Sequence, residues 1–264
     1  MTVLAWIVIA TLISGVASVI AASALLLLPT AMRTKLQPHL VSFATGALLG
    51  AALLALIPHA VLGAGFMRVH QIGLALVGGV GLFFVLEKFL LWRHCHDEHC
   101  DEHGELTQHA HDRNRDQVAG PLVLVGDALH NTLDGVLVAA AFLTDVDLGI
   151  VTALAIMAHE IPQEVGNFAV LLHAGMSRGR ALFWNLVTSL TAVLGGLLGY
   201  FALRTAMFLL PYALAIAAAS MLYIAVADLI PGLHRRVDPR SSVAQIVLIT
   251  IGIAVVALAE RHAH

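Results

Sequence analysis

Charge is what this sequence has least of. Asp, Glu, Lys and Arg make up 12% of its 264 residues against 59% apolar residues, and the mean hydropathy is +0.88. So few charges cannot solvate the surface of a soluble domain, and so much apolar side chain excludes a disordered chain outside one short stretch. A basic excess is also missing. With a formal net charge of -3 there is no electrostatic footprint for a phosphate backbone, so nucleic acid is excluded as a partner. Cysteine is reduced to Cys95 and Cys100, which rules out a disulfide framework. What the chain does have is long apolar runs and 15 histidines. A membrane protein with that much imidazole is built to handle metal ions or protons.

Eight stretches are long enough to cross a hydrocarbon core of ~30 Å at ~1.5 Å per residue. They run approximately over 3–28, 40–57, 72–92, 118–143, 148–172, 181–203, 207–230 and 243–259. The first is too long, and lacks the cleavage pattern, to be a signal peptide. Lysine and arginine gather on the cytoplasmic side of membrane proteins. Eleven of the 14 here fall in the links between spans 1 and 2, 3 and 4, 5 and 6, or 7 and 8 or at the adjoining helix ends, leaving Arg68, Arg204 and Arg261 on the other side. The expected fold is therefore a single all-α transmembrane domain over residues 1–264, multi-pass in the cell (inner) membrane, with eight spans and both termini extracytoplasmic. Ala-Leu-Ile-Pro-His at 55–59 is echoed by Asp-Leu-Ile-Pro-Gly at 228–232, near the ends of spans 2 and 7. Those ends face opposite sides, as an inverted repeat of helices 1–3 and 6–8 around a middle pair requires.

Residues 93–116 break the apolar pattern with six histidines (His94, His96, His99, His103, His109 and His111), both cysteines and several acids. This reads as a solvated cytoplasmic loop between spans 3 and 4 that captures metal transiently; it has no paired C-x-x-C spacing for a folded zinc site.

Spans 4 and 5 hold the chemistry. Asp127, His130 and Asp134 stand at i, i+3 and i+7 of one helix, with Asn131 at the edge of the stripe. In the next, His159 and Gln163 are four apart, Glu160 and Glu164 are four apart, and Asn167 continues the row. An ionised acid at the centre of a span costs about 2.5–3.5 kcal/mol, so Asp127, Asp134, Glu160, Glu164 and Asp228 imply on the order of 10 to 17 kcal/mol unless cations, protons or water offset it. One buried polar group is commonly a helix–helix hydrogen bond; facing stripes of histidine, carboxylate and amide are a divalent-metal site. Pro162 removes a backbone donor beside His159 and frees the carbonyl of Ala158, which a cavity-lining helix tolerates.

His130-Asn131-x-x-Asp134-Gly135 followed by His159-Glu160-Ile161-Pro162-x-Glu164-x-Gly166 resembles the paired signature of the ZIP (Zrt/Irt-like) family of divalent metal transporters, of bacterial type, in the branch whose fifth helix reads H-E-x-P-H-E-x-G-D. The resemblance implies a 3+2+3 helix arrangement, commonly a homodimer, and uptake toward the cytosol by an elevator-like movement of the transport helices. The transported ion would be Zn²⁺, with Cd²⁺, Fe²⁺ or Mn²⁺ as alternatives. Carried across residue by residue, it puts a first ion on His130, His159, Glu160 and Gln163 and a second on Asn131 and Asp134, with Glu160 and Gln163 bridging. Glu164 completes the candidate metal residues. Gln163 stands where the family has histidine or glutamate, and Asn167 where that branch has aspartate. A neutral amide is the weaker ligand, which weakens the second position. Two rivals are set against this. One is an intramembrane zinc metalloenzyme using His159-Glu160-x-x-Gln163, one residue from H-E-x-x-H, which its internal proline and its glutamine disfavour. The other is a cation-diffusion exporter, for which six spans and no H-E-x-P motif are expected.

Overall fold

The computed structural model describes residues 1–95, 108–234 and 238–263, and among the described residues every extended element is helical. Eight long helices run through them: α1 (Val3–Leu27), α2 (Thr30–Ala64), α3 (Val69–Cys95), α4 (Gln108–Thr144), α5 (Val146–His173), α6 (Arg178–Thr205), α7 (Met207–His234) and α8 (Pro239–Ala263). Seven of the eight contain a stretch long and apolar enough to cross a membrane. The remaining one, α5, has the length at 28 residues and carries the histidine and glutamate stripe. The chain is a multi-pass, all-α membrane protein. Of the 93–116 stretch, α3 reaches Cys95 and α4 begins at Gln108, so both flanks are helical. His96, His99, Cys100 and His103 lie outside the described residues.

Helix starts are set by short polar side chains in an otherwise apolar chain. Thr2 accepts from the Ala5 N–H, Asp145 from those of Asp147 and Leu148, Ser177 from that of Arg180 and Asp238 from that of Ser241. Each satisfies backbone donors that the first helical turn leaves without partners. Gly175 ends α5 at a φ of 83°, with the Gly175 and Met176 N–H groups turning back to the carbonyls of Leu172 and Leu171. That left-handed position is one only glycine takes freely.

The helices pack as two groups of four. In one, α4 lies along α6, α1 along α5, and the pairs join through α4–α5 and α1–α6. In the other, α2 lies along α8 and α3 along α7, and the pairs join where α2 meets α7. Exchanging helices 1–3 with 6–8, and α4 with α5, maps α4–α6 onto α1–α5 and α2–α8 onto α3–α7, and leaves α4–α5, α1–α6 and α2–α7 in place. The echo at 55–59 and 228–232 falls on this symmetry. Both α2 and α7 widen into a π-turn, Ala51–Leu56 and Ile224–Leu229, immediately before an Ile-Pro pair. The π-turns end with the Ile57 N–H bonded to the Ala52 carbonyl and the Ile230 N–H to that of Ala225. Each prolyl nitrogen that follows has no proton to give the preceding turn, which is where such widening is tolerated.

Glycine sets how close the main crossings come. A Cβ on Gly135 would lie 1.9 Å from the Ala192 carbonyl oxygen, and one on Gly195 would lie 1.9 Å from that of Thr132, so α4 and α6 touch backbone to backbone. Because backbone cannot give way, Gly135→Val or Gly195→Val should destabilise the protein by more than the ~1–3 kcal/mol of ordinary overpacking. Gly73→Ala on α3, where the added carbon meets nothing within 4 Å, should be neutral. Thermal unfolding of the three purified variants in detergent checks this; equal melting temperatures would contradict it.

Candidate metal centre

α4 and α5 lie side by side with their polar stripes facing. His130 Nε2 and His159 Nε2 are 3.3 Å apart, and Asp134 Oδ2 is 3.5 Å from the first and 3.4 Å from the second. Asp134 and His159 are almost wholly enclosed, while His130 keeps 21% of its side chain exposed. Among the described residues these three form the group whose ligand atoms converge closely enough to hold a metal ion. His159 Nδ1 lies 3.4 Å from the Ala155 carbonyl, one turn back. A proton placed there leaves the Nε2 lone pair facing the other donors. Asp134 Oδ2, though buried, has no hydrogen-bond partner. Two imidazole nitrogens and an orphaned carboxylate oxygen at this separation repel unless a cation or proton sits among them.

The spacing fits one kind of cation well. A tetrahedral zinc ion with bonds of about 2.0–2.1 Å keeps its ligand atoms about 3.3–3.4 Å apart. The three edges here are 3.3, 3.4 and 3.5 Å. Three protein donors then leave a fourth position open.

The other candidate residues surround this triangle in two places. Glu160 is buried, and its Oε2 accepts from Ser18 Oγ of α1 at 3.1 Å. One turn further along α5, Glu164 Oε1 accepts from Ser189 Oγ of α6 at 2.6 Å, and the Glu164 carbonyl from Asn185 Nδ2 at 3.4 Å. Gln163 is turned to α4: its amide donates to Asp127 Oδ1 at 3.2 Å, and Asn167 donates to the same oxygen at 2.7 Å. Asn131 donates from Nδ2 to the Asp127 carbonyl at 3.0 Å and leaves its buried Oδ1 without a partner. The structure thus gathers His130, His159 and Asp134 together. It sets Gln163 and Asn167 on Asp127 and gives Glu160 and Glu164 separate serine partners. α6 is interrupted at Leu190, and beside the break Thr191 Oγ1 donates to the Ala128 carbonyl at 2.8 Å, tying α6 to the α4 stripe.

Sequence reasoning missed Ser18 and Asn185. A signal for the first existed: Thr11, Ser14 and Ser18 stand at i, i+3 and i+7 of an apolar helix, a polar stripe on the same period as that of α4. Asn185 sits in a helix with polar residues at several positions, and nothing in its spacing sets it apart.

Comparison with known proteins gives a consistent result. A sequence profile of the family described as ZIP Zinc transporter matches residues 92–260. Zinc transporter ZIP13 of Pongo abelii is 35% identical over 262 aligned residues, covering 89% of this chain and 72% of that protein. The Homo sapiens ZIP13 is 30% identical over 293 residues, covering 89% and 76%. Zinc transporter ZIP4 of Mus musculus is 32% identical over 276 residues, covering 81% of this chain but only 42% of that longer protein. These relatives are transporters, which sets aside an enzyme built on His159-Glu160-x-x-Gln163. With a family profile over more than half its length and relatives aligned across most of it, the chain belongs to the ZIP family of zinc transporters.

Proposed function

We propose that this protein moves divalent transition metals, zinc first, across the cell (inner) membrane into the cytosol through the site between α4 and α5. The observation that carries the reading is the triangle of His130, His159 and Asp134, whose 3.3–3.5 Å edges match the ligand spacing of a tetrahedral ion. Two borderline nitrogens and one hard oxygen suit Zn²⁺ and Cd²⁺ and admit Fe²⁺ or Mn²⁺ more weakly. The transported ion is itself the charge that makes this polar cluster tolerable inside the bilayer. Both termini lie outside, by the bias of lysine and arginine toward the other face, and the working unit is a homodimer as is common in the family. Zinc uptake into proteoliposomes of purified protein tests the activity; no uptake above protein-free vesicles, at either orientation of the gradient, would refute it.

Gln163 sets the number of ions. Its amide faces Asp127, bringing a dipole where the family's glutamate or histidine would bring charge or a stronger donor. One tightly held ion per protomer is expected. Gln163→Glu places a second carboxylate against Asp127, and the two stabilise each other only around a cation, so this variant should bind closer to two ions. Elemental analysis with titration calorimetry on both proteins checks it, and two equally tight ions in the unaltered protein would contradict it.

The histidine-rich stretch between α3 and α4 tunes uptake without being part of the path, since its ligands are expected outside the membrane and lack the paired spacing of a folded zinc site. Deleting His94 to His111 should leave residual transport and shift its dependence on metal concentration. A stably inserted deletion variant with no transport at all would show that the segment is required.

A further inference from the structure

Asp127 stands one turn before His130 on α4, and Gln163 one turn after His159 on α5, so the two make the next rung between these helices. Asp127 is buried, with 5% exposed, and is not one of the three converging donors. Its Oδ1 accepts from two amides of α5, Gln163 Nε2 at 3.2 Å and Asn167 Nδ2 at 2.7 Å. Both amides occupy positions where the related branch has an ionisable side chain. That exchange creates a problem of orientation. A carboxylate presents oxygen whichever way it turns, whereas the two ends of an amide have the same shape and opposite sense, a carbonyl that accepts and an N–H₂ that donates. With its oxygen toward a dication an amide is a ligand; with its nitrogen there it sets partial positive charge against the ion. Nothing within a glutamine side chain chooses between the two. An ionised carboxylate beside it does, because it only accepts and therefore takes the N–H₂ end.

We propose that Asp127 is a positioning residue for the transported ion: it holds the nitrogen of Gln163 so that the carbonyl oxygen is the end offered to a metal on His130, His159 and Asp134, and Asn167 steadies Asp127 through the same oxygen. The inference rests on reading the triangle as the site of the transported ion. Asp127 makes no bond to that ion. It gives the neutral side chain at 163 a single way to face, which a carboxylate at that position has by its own symmetry. Groups that orient a ligand in this way change metal affinity without touching the metal.

The test separates orientation from charge and from folding. Zinc uptake is measured in proteoliposomes of full-length protein, and half-saturating zinc is the quantity read. Asp127→Asn can turn either a carbonyl or an N–H₂ toward Gln163, so the glutamine loses its fixed sense; half-saturating zinc should rise about tenfold or more, as for other groups that orient a ligand. Asn167→Ala leaves every charge in place and removes only the second hydrogen bond to Asp127. It should raise half-saturating zinc in the same direction and by less. Because Asn167 is only half-buried, this variant carries the test if Asp127→Asn fails to insert. Both changes are then repeated in the Gln163→Glu protein, where there is no wrong end to present. There the penalty of Asp127→Asn should shrink at least about fivefold and that of Asn167→Ala should vanish. Equal penalties in the two backgrounds would mean that Asp127 acts through its charge or the fold, and would overturn the proposal, as would unchanged half-saturation in the Gln163 protein. Either result leaves the triangle standing so long as His159→Ala abolishes uptake. If His159→Ala leaves uptake unchanged, the reading of the triangle fails, and this proposal falls with it.

Discussion

Zinc uptake by the His159→Ala protein is expected to fall at least tenfold at sub-saturating zinc, with normal expression and membrane insertion. In the proposed site three donor atoms converge, and this substitution removes one of the two nitrogens that give it transition-metal character. The loss of a directly bonded imidazole exceeds the 10–100-fold effect on affinity that is typical of groups merely supporting a ligand. Folding is little affected, because the imidazole's contacts are with the other donors and with the Ala155 carbonyl of its own helix, and alanine has the higher helix propensity. Uptake of labelled zinc, normalised to protein in the vesicle, reads the effect. Unchanged uptake by a correctly inserted variant would remove the site from the transport path.

Asp134→Asn should have an equally large effect on transport and the opposite effect on the metal-free fold. The carboxylate is buried, and its Oδ2 lies 3.4–3.5 Å from two imidazole nitrogens with no hydrogen bond of its own. Without metal it is an ion kept out of water for the sake of function, the kind of group whose removal commonly raises stability. The amide has the same shape, no charge, and an N–H₂ that can donate to either imidazole. Metal-free Asp134→Asn is therefore expected to melt at or above the temperature of the unaltered protein, and to lose the stabilisation that zinc provides. That stabilisation is about 2.7 kcal/mol when free zinc is 100 times the dissociation constant. Thermal unfolding with and without zinc separates the two effects. A variant that still gained the full zinc-dependent shift would show that Asp134 is not a ligand.

Much of this was legible because the bilayer enforces simple rules. A helix that crosses it must be long and apolar, so α1, α3, α6 and α8 stand out in composition alone. The expense of burying charge means that a stripe such as His130 and Asp134 opposite His159 and Glu160 announces a site. Helix ends were less visible. α2 begins at Thr30, well before its apolar run, because Arg33 and Lys35 sit on turns that continue the same helix beyond the span, and Pro38 does not interrupt it. Which donors meet was not legible either. The motif spacing puts Gln163 on the same face as His159, yet a hydrogen bond to Asp127 takes its amide nitrogen away from the imidazoles. That choice depends on how α4 and α5 are rotated against each other, and the rotation is set in part by glycine contacts with α6 far along the chain. Ser14 and Ser18 belong to the same class: a serine in an apolar helix is uninformative until the helix it faces is known.

The most direct measurement of the central claim is zinc K-edge X-ray absorption on purified, zinc-loaded protein carrying Cys95→Ser and Cys100→Ser, recorded alongside the same protein with His159→Ala. The account predicts a single shell of nitrogen and oxygen at about 2.0–2.1 Å, with the multiple scattering of two imidazoles in the first sample. In the second it predicts one imidazole at most, or loss of the ion. An imidazole count that does not change with His159→Ala would contradict it.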